Sequence, residues 1–257
     1  MRSASLRRVP GAPRLLVAPD GGRRTQRIRH LAGTSDWRRA LLDRVGTAAV
    51  AVVGTSSLPD APPFVWPPVS ADELTTMLDA HLPGIRLLGA VVPRQAGRRR
   101  LTLLADAAGG DVVIKLGVPD DGIEQEASAL RLLTETPLPC IATPRVLASG
   151  TADAADGTRL AFVATDALGL DGQRPAIGER LGSFERDLAA SLAALPRPEE
   201  AGDDAVPVHG DLAPWNLRRT NRGLALFDWE AAGWGRPGTD VAHYRAACAA
   251  LRPRRHA

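Results

Sequence analysis

The sequence predicts an α+β chain, on three observations. Three β-rich runs follow one another between residues 85 and 117 with turn residues between them, segments of helical apolar spacing lie on both sides, and a chain of 257 residues with 44% hydrophobic content can bury a substantial core. With only 4 Phe, 5 Trp and 1 Tyr, that core must be largely aliphatic.

Taken in order, the first 60 residues hold 11 Arg and 4 Asp, a net +7 against +3 for the whole chain, so the remainder is mildly acidic. Short strands are expected at 15–18 and 48–53, with a helix over 28–45 that breaks near Gly33. Residues 59–68 are rich in proline and read as a linker. Ser70 followed by Glu73 is a capping box, and Leu74, Met77, Leu78 and Leu82 recur at helical spacing until Pro83 and Gly84 stop the helix. Strands at 85–92 and 100–105 are separated by PRQAGRR, and VVIKLG at 112–117 forms a third after Gly109 and Gly110, which makes an antiparallel meander. A helix over 121–133 follows, then a stretch punctuated by Pro137, Pro139 and Pro144, a strand over 160–165 and a helix over 176–195.

Composition excludes several classes. Charged residues at 24% beside 44% hydrophobic ones rule out wholesale disorder. The longest apolar run, 47–53, is far short of the roughly 20 residues a membrane-spanning helix needs, and Leu15, Leu16 and Val17 are cut off from any signal-peptide core by Pro19 and Asp20. Cys140 and Cys248 form no CxxC pair, which points to a reducing cytoplasm and away from a cysteine metal site. The basic N-terminal segment suits either a solvated subdomain or an arm for a protein partner. A nucleic-acid arm is disfavoured because no aromatic stacking platform accompanies the arginines.

Of 32 basic side chains, Lys115 is the sole lysine. It interrupts the apolar run 112–116, whose flanking residues argue burial on both faces, and a buried ammonium needs an anion. On the following helix Glu126 shares a face with Ile123, Leu130 and Leu133, whereas Glu124 shares one with Ser128, Arg131 and Glu135. Glu126 therefore points inward. A strand lysine paired with a helix glutamate is how kinases hold nucleotide phosphates, and an ordinary edge-strand lysine is the competing reading.

Residues 206–244 carry the densest chemistry. His209-Gly210-Asp211 is followed, after four intervening residues, by Asn216, one of only two asparagines, and the apolar strand 224–227 ends in Asp228-Trp229-Glu230. These groups can surround one phosphoryl-transfer site: Asp211 orients an attacking hydroxyl and takes its proton, while Asn216 and Asp228 supply the oxygen ligands that a hard Mg²⁺ prefers. His209 reads as a scaffold residue bonding nearby backbone. Trp215, Trp229 and Trp234 read as packing residues, with stacking on a ligand as the alternative. Glu230 is open between a second metal contact and a solvent- or substrate-facing carboxylate, and Asp240 either caps a helix or ties down the loop carrying Asp211.

These motifs resemble the aminoglycoside phosphotransferase and choline kinase family, small-molecule kinases with a two-lobed, protein-kinase-like fold. VVIKLG is similar to that family's phosphate-binding strand, EASALRLL to the next helix, HGDLAPWN to the catalytic loop, and DWE with Asp240 to the metal-binding segment, over residues 85–250. The resemblance implies Lys115 on the α/β-phosphates, Glu126 as its orienting partner, Asp211 as catalytic base and Asn216 and Asp228 as metal ligands. It also implies an adenine-holding hinge at 162–166, ATP as donor with GTP left open, and Mg²⁺ as cofactor. The domain expectation is an Arg-rich segment and linker over 1–69, an N-lobe with an antiparallel sheet and helix over 70–165, and a short, mostly helical C-lobe over 166–257.

Departures from the family pattern narrow the acceptor. Gly210 stands where protein kinases place an arginine, and only 11 residues separate Asp228 from Asp240, too few for an activation loop, so a small-molecule hydroxyl is favoured over a protein. PRQAGRR lacks a G-x-G-x-x-G pattern. With 17 residues after Asp240, the C-lobe reads as truncated, and this keeps open a pseudokinase-like alternative that binds nucleotide while the basic N-terminal arm recruits a partner.

Overall fold

Alternating apolar residues over 86–117 build the sheet that the sequence predicts. The computed structural model describes residues 6–9, 12–18, 27–31, 48, 50, 58, 70–92, 99–108, 110–154, 156–168 and 173–251. The chain divides into two units, one of Met1–Glu124 with Leu147–Leu170 and one of Gln125–Val146 with Asp171–Ala257. In chain order the strands are β1 (Arg7–Val9), β2 (Ala12–Val17), β3 (Arg86–Val91), β4 (Arg100–Ala107), β5 (Gly110–Gly117), β6 (Ile141–Ala142), β7 (Val146–Asp153), β8 (Arg159–Asp166), β9 (Arg174–Pro175), β10 (Val206–Val208), β11 (Leu217–Thr220), β12 (Gly223–Leu226) and β13 (Gly233–Gly235). Among the described residues the helices are α1 (Ala71–Asp79), α2 (Ile123–Glu135), α3 (Phe184–Ser191) and α4 (Thr239–Leu251), with a single helical turn at Ile28–Leu31 and helical backbone at Ala48 and Val50.

The first unit is a seven-stranded sheet in the order β1-β2-β3-β4-β5-β8-β7. Its β3–β4 and β4–β5 pairs are the expected antiparallel meander, and β2 extends it by pairing antiparallel with β3. The N-terminal strands thus belong to the same sheet. One face packs Leu87, Leu101, Leu103, Val112, Ile114, Leu116 and Phe162 against Leu74 and Leu78 of α1. Burying those two leucines contributes roughly 3–6 kcal/mol, more than the ~1 kcal/mol of an N-cap. The capping box is nonetheless formed: the Glu73 amide donates to Ser70 Oγ at 3.2 Å and the Ser70 amide to Glu73 Oε2 at 2.6 Å. The other face gathers Val9, Leu15, Val17, Ile28, Leu88 and Leu104. At Gly89 the helical turn comes so close that any Cβ would meet Ile28 Cδ1 and the Leu16 carbonyl.

The second unit holds α2 from Gln125 onward, α3 and α4, a two-stranded β10–β13 ladder, and a four-stranded sheet in the order β6-β12-β11-β9. Leu130, Leu133, Leu188, Leu212, Leu217, Leu226, Trp229 and Tyr244 form its core. The α+β class, the antiparallel sheet and its following helix are as the sequence predicts. Among the described residues, no helix is long and apolar enough to cross a membrane.

Several local expectations are corrected. Ala48 and Val50 are helical, not part of a strand over 48–53, and the rest of that run, with 32–45 and the linker 59–68, lies outside the described residues. The helix expected over 176–195 forms only at Phe184–Ser191. Its front is taken by strand pairing, because the Ala176 amide donates to the Leu217 carbonyl at 2.9 Å, and Gly178 with φ +80° cannot continue a helix. Lys115 does not lie in a strand buried on both faces. Val112, Ile114 and Leu116 are buried under α1, while Val113 and Lys115 alternate to the opposite face and are half-buried, as the period of two requires.

Candidate active site

The segment 206–216 owes its shape to one glycine and one buried carboxylate. Strand β10 pairs with β13 and delivers His209, after which Gly210 turns the chain at φ +81°. A Cβ at that position would run into the Ala231 carbonyl, so only glycine fits. Asp240, 1% exposed in the first turn of α4, accepts from the His209 amide at 2.6 Å and the Gly210 amide at 3.0 Å. It ties down the loop, the second of the two roles its position allows. Burial raises the Asp240 pKa above the ordinary carboxylate value; the two N–H bonds and His243 oppose that shift, and Glu185 adds to it.

His209 is fully buried and committed to scaffold. Its Nε2–H donates to the Phe227 carbonyl at 3.0 Å, which leaves Nδ1 to accept from the Asp211 amide at 3.2 Å. The ring lies 4.5 Å from the Trp229 ring, centroid to centroid, at 59°. Trp229 is itself fully buried and bonds the Leu226 carbonyl, so it is a packing residue.

Asp211 follows with its side chain 40% exposed, accessible to an incoming hydroxyl. Asn216 is buried on the same turn and spends both Nδ2 protons on Asp211, one on the carbonyl and one on Oδ2, each at 2.9 Å. This fixes the carboxylate and leaves Asn216 Oδ1 as the atom it can offer a cation. The other carboxylate oxygen, Oδ1, lies 3.8 Å from His243 Nδ1 on α4. The Phe227 amide donates to the Asn216 carbonyl at 3.0 Å, which ties the end of β12 to this turn.

Asp228, at the end of that strand, is held in the left-handed region at φ +67°, an uncommon conformation for a residue with a side chain. Its carboxylate, that of Glu230 and that of Glu126 on α2 offer oxygens all within 4.8 Å of one another. Glu126 is 4% exposed and turned inward as the helix spacing predicts, with Glu124 exposed on the other side. The neighbouring Gln125 anchors α2 to the same segment through Nε2–H to the Ala232 carbonyl at 2.6 Å. Carboxylate oxygens are the donors a hard divalent cation takes, so these three groups fit Mg²⁺.

Lys115 belongs to the first unit, where it sits in β5 opposite Thr102 of β4 and Val163 of β8. Residues 162–166 form most of β8. The loop PRQAGRR falls almost wholly outside the described residues. Sequence reasoning did not single out Gln125, Arg218 or His243. The first is hidden beside Glu126, the second lies in a four-residue strand too short to show alternation, and the third is brought to Asp211 by α4 from 32 positions away.

Residues 165–256 match the model of the phosphotransferase enzyme family. Similar solved structures include aminoglycoside-3'-phosphotransferase of type VIII, at 22% identity over 68% of this chain and 82% of that one with a TM-score of 0.41. Another is aminoglycoside phosphotransferase APH(3'')-Id from Streptomyces rimosus, at 18% identity over 69% and 83% with a TM-score of 0.41. A third is a microcompartment-associated aminopropanol kinase, at 16% identity over 63% and 70% with a TM-score of 0.40. No curated protein matches the chain.

Proposed function

From the premise that residues 165–256 carry the phosphotransferase enzyme family's pattern, we propose that the protein moves the γ-phosphoryl group of ATP to a hydroxyl of a small molecule such as a sugar, amino alcohol or aminoglycoside. One observation carries this reading. Asn216 pins one oxygen of a solvent-accessible Asp211 carboxylate, while Asp228, Glu230 and Glu126 bring three carboxylates together.

Asp211 orients the acceptor hydroxyl and takes its proton as the new O–P bond forms and the bond from phosphorus to the leaving nucleoside diphosphate breaks. Asn216 and Asp228 hold the divalent cation, which when bound neutralises charge on the phosphates. Lys115 is assigned the α/β-phosphates and Glu126 the orienting carboxylate, as the family resemblance implies. The Asp240 bonds to two consecutive amides keep Asp211 in place between turnovers.

The test is nucleotide consumption with a panel of sugars, amino alcohols and aminoglycosides, with ATP and GTP run in parallel. Asp211→Ala is expected to remove acceptor-dependent turnover by about 10²-fold or more. Turnover that survives the substitution unchanged overturns the role of Asp211. Tight Mg-nucleotide binding with no acceptor phosphorylated in a broad panel favours the nucleotide-binding alternative.

A further inference from the structure

One charged side chain touches both segments that carry the proposed metal ligands. Arg218 is in β11, an interior strand of its sheet, opposite Ala225 of β12 and Pro175 of β9. Its Nε–H donates to the Trp215 carbonyl at 2.6 Å, and Nη1–H donates to Gln173 Oε1 at 2.8 Å. The guanidinium carbon stands 5.5 Å from the centre of the Phe227 ring. One group thus bonds the residue before Asn216 and lies against the residue before Asp228.

An arginine here is not what packing alone would choose. Arg218 is half-buried in an interior strand, where a guanidinium gives up part of its hydration. A leucine would fill an interior strand position without desolvating a charge. The planar fork has a specific use, because it reaches a carbonyl and an amide oxygen at once while keeping a flat face for an aromatic ring.

We propose that Arg218 is a positioning residue that holds the turn bearing Asn216 and the strand end bearing Asp228 in register for divalent-cation binding. This rests on the assignment of Asn216 and Asp228 as the metal ligands. Its consequence has a distinctive sign. By charge alone, a guanidinium lying against the residue before Asp228 repels a cation, so its removal would tighten metal binding. As a positioning group its removal loosens metal binding, in the way that groups supporting metal ligands usually act.

The experiment is Mn²⁺ binding to the full chain without nucleotide, read from the electron paramagnetic resonance signal of free Mn²⁺, alongside thermal unfolding. Arg218→Leu is expected to weaken binding about tenfold, and Arg218→Lys, which keeps the charge but loses the fork, to weaken it as well. Equal or tighter binding by a folded Arg218→Leu protein overturns the proposal. If that variant does not fold, Gln173→Ala decides: it leaves the charge in place and removes one partner, so weaker binding supports the proposal and an unchanged Kd overturns it. A wild-type chain that binds no Mn²⁺ overturns the ligand assignment, and the proposal with it, whereas wild-type binding left unchanged by all three variants overturns the proposal alone.

Discussion

Replacing Gly210 with alanine probes the loop that carries Asp211 through two separable costs. At φ +81° an L-residue is disfavoured by roughly 1–2 kcal/mol. The added methyl also overlaps the Ala231 carbonyl, which is backbone and cannot swing aside as a flexible side chain would. The loop must then lift, and the 3.0 Å bond from the Gly210 amide to buried Asp240 is lost. A hydrogen bond to a charged group contributes about 1.5–3 kcal/mol, so the two costs together come to roughly 3–5 kcal/mol. For a chain of this size that corresponds to a fall of roughly 6–20 °C in Tm, measured by scanning calorimetry. Gly238→Ala is the control, because its φ of +85° carries the same backbone cost while no atom lies within 4 Å of the added carbon. Gly238→Ala is expected to show only the first cost. A Gly210→Ala protein that melts with the wild type, or no lower than Gly238→Ala, refutes the argument that the Ala231 carbonyl and Asp240 together dictate glycine.

Two further outcomes follow from the same geometry. The folded-state pKa of Asp240 lies above its ordinary value, so the folded chain binds that proton more tightly than the unfolded one, and its contribution to stability grows as pH falls through the raised value toward the ordinary one. The Tm difference between wild type and Asp240→Asn should therefore move in favour of the wild type as pH drops from neutral into the mildly acidic range, and parallel Tm profiles for the two would contradict this. Lys115→Arg keeps the charge on β5 but replaces a compact ammonium with a wide fork, and steady-state kinetics should show kcat/KM for Mg-ATP reduced roughly tenfold, the equivalent of one charge-assisted bond. Unchanged kinetics would remove Lys115 from the phosphate site.

What was legible in the chain was whatever rests on neighbours along it. Ser70 and Glu73 cap α1 from three residues apart, the apolar spacing of α2 turns Glu126 inward, and alternation marks β3 to β5, because each depends on the fixed periods of helix and strand. The spacing of His209, Asp211, Asn216 and Asp228 is chemical pattern, readable without a fold. Failures came where a distant partner outbid local preference: Ala176 left a helical pattern to bond Leu217, and Lys115 lost burial on one face because the face opposite α1 covers it only partly.

The sequence by itself determined the α+β class, the meander and the cluster of residue types suited to phosphoryl transfer. Only the tertiary structure decided that Asp240 ties His209 and Gly210 from about thirty positions away, and that Glu126, about a hundred positions earlier in the chain, meets Asp228 and Glu230. The physical reason is that these contacts join segments separated by long stretches of chain. Their formation depends on how whole elements pack, and no periodicity within any one element encodes them.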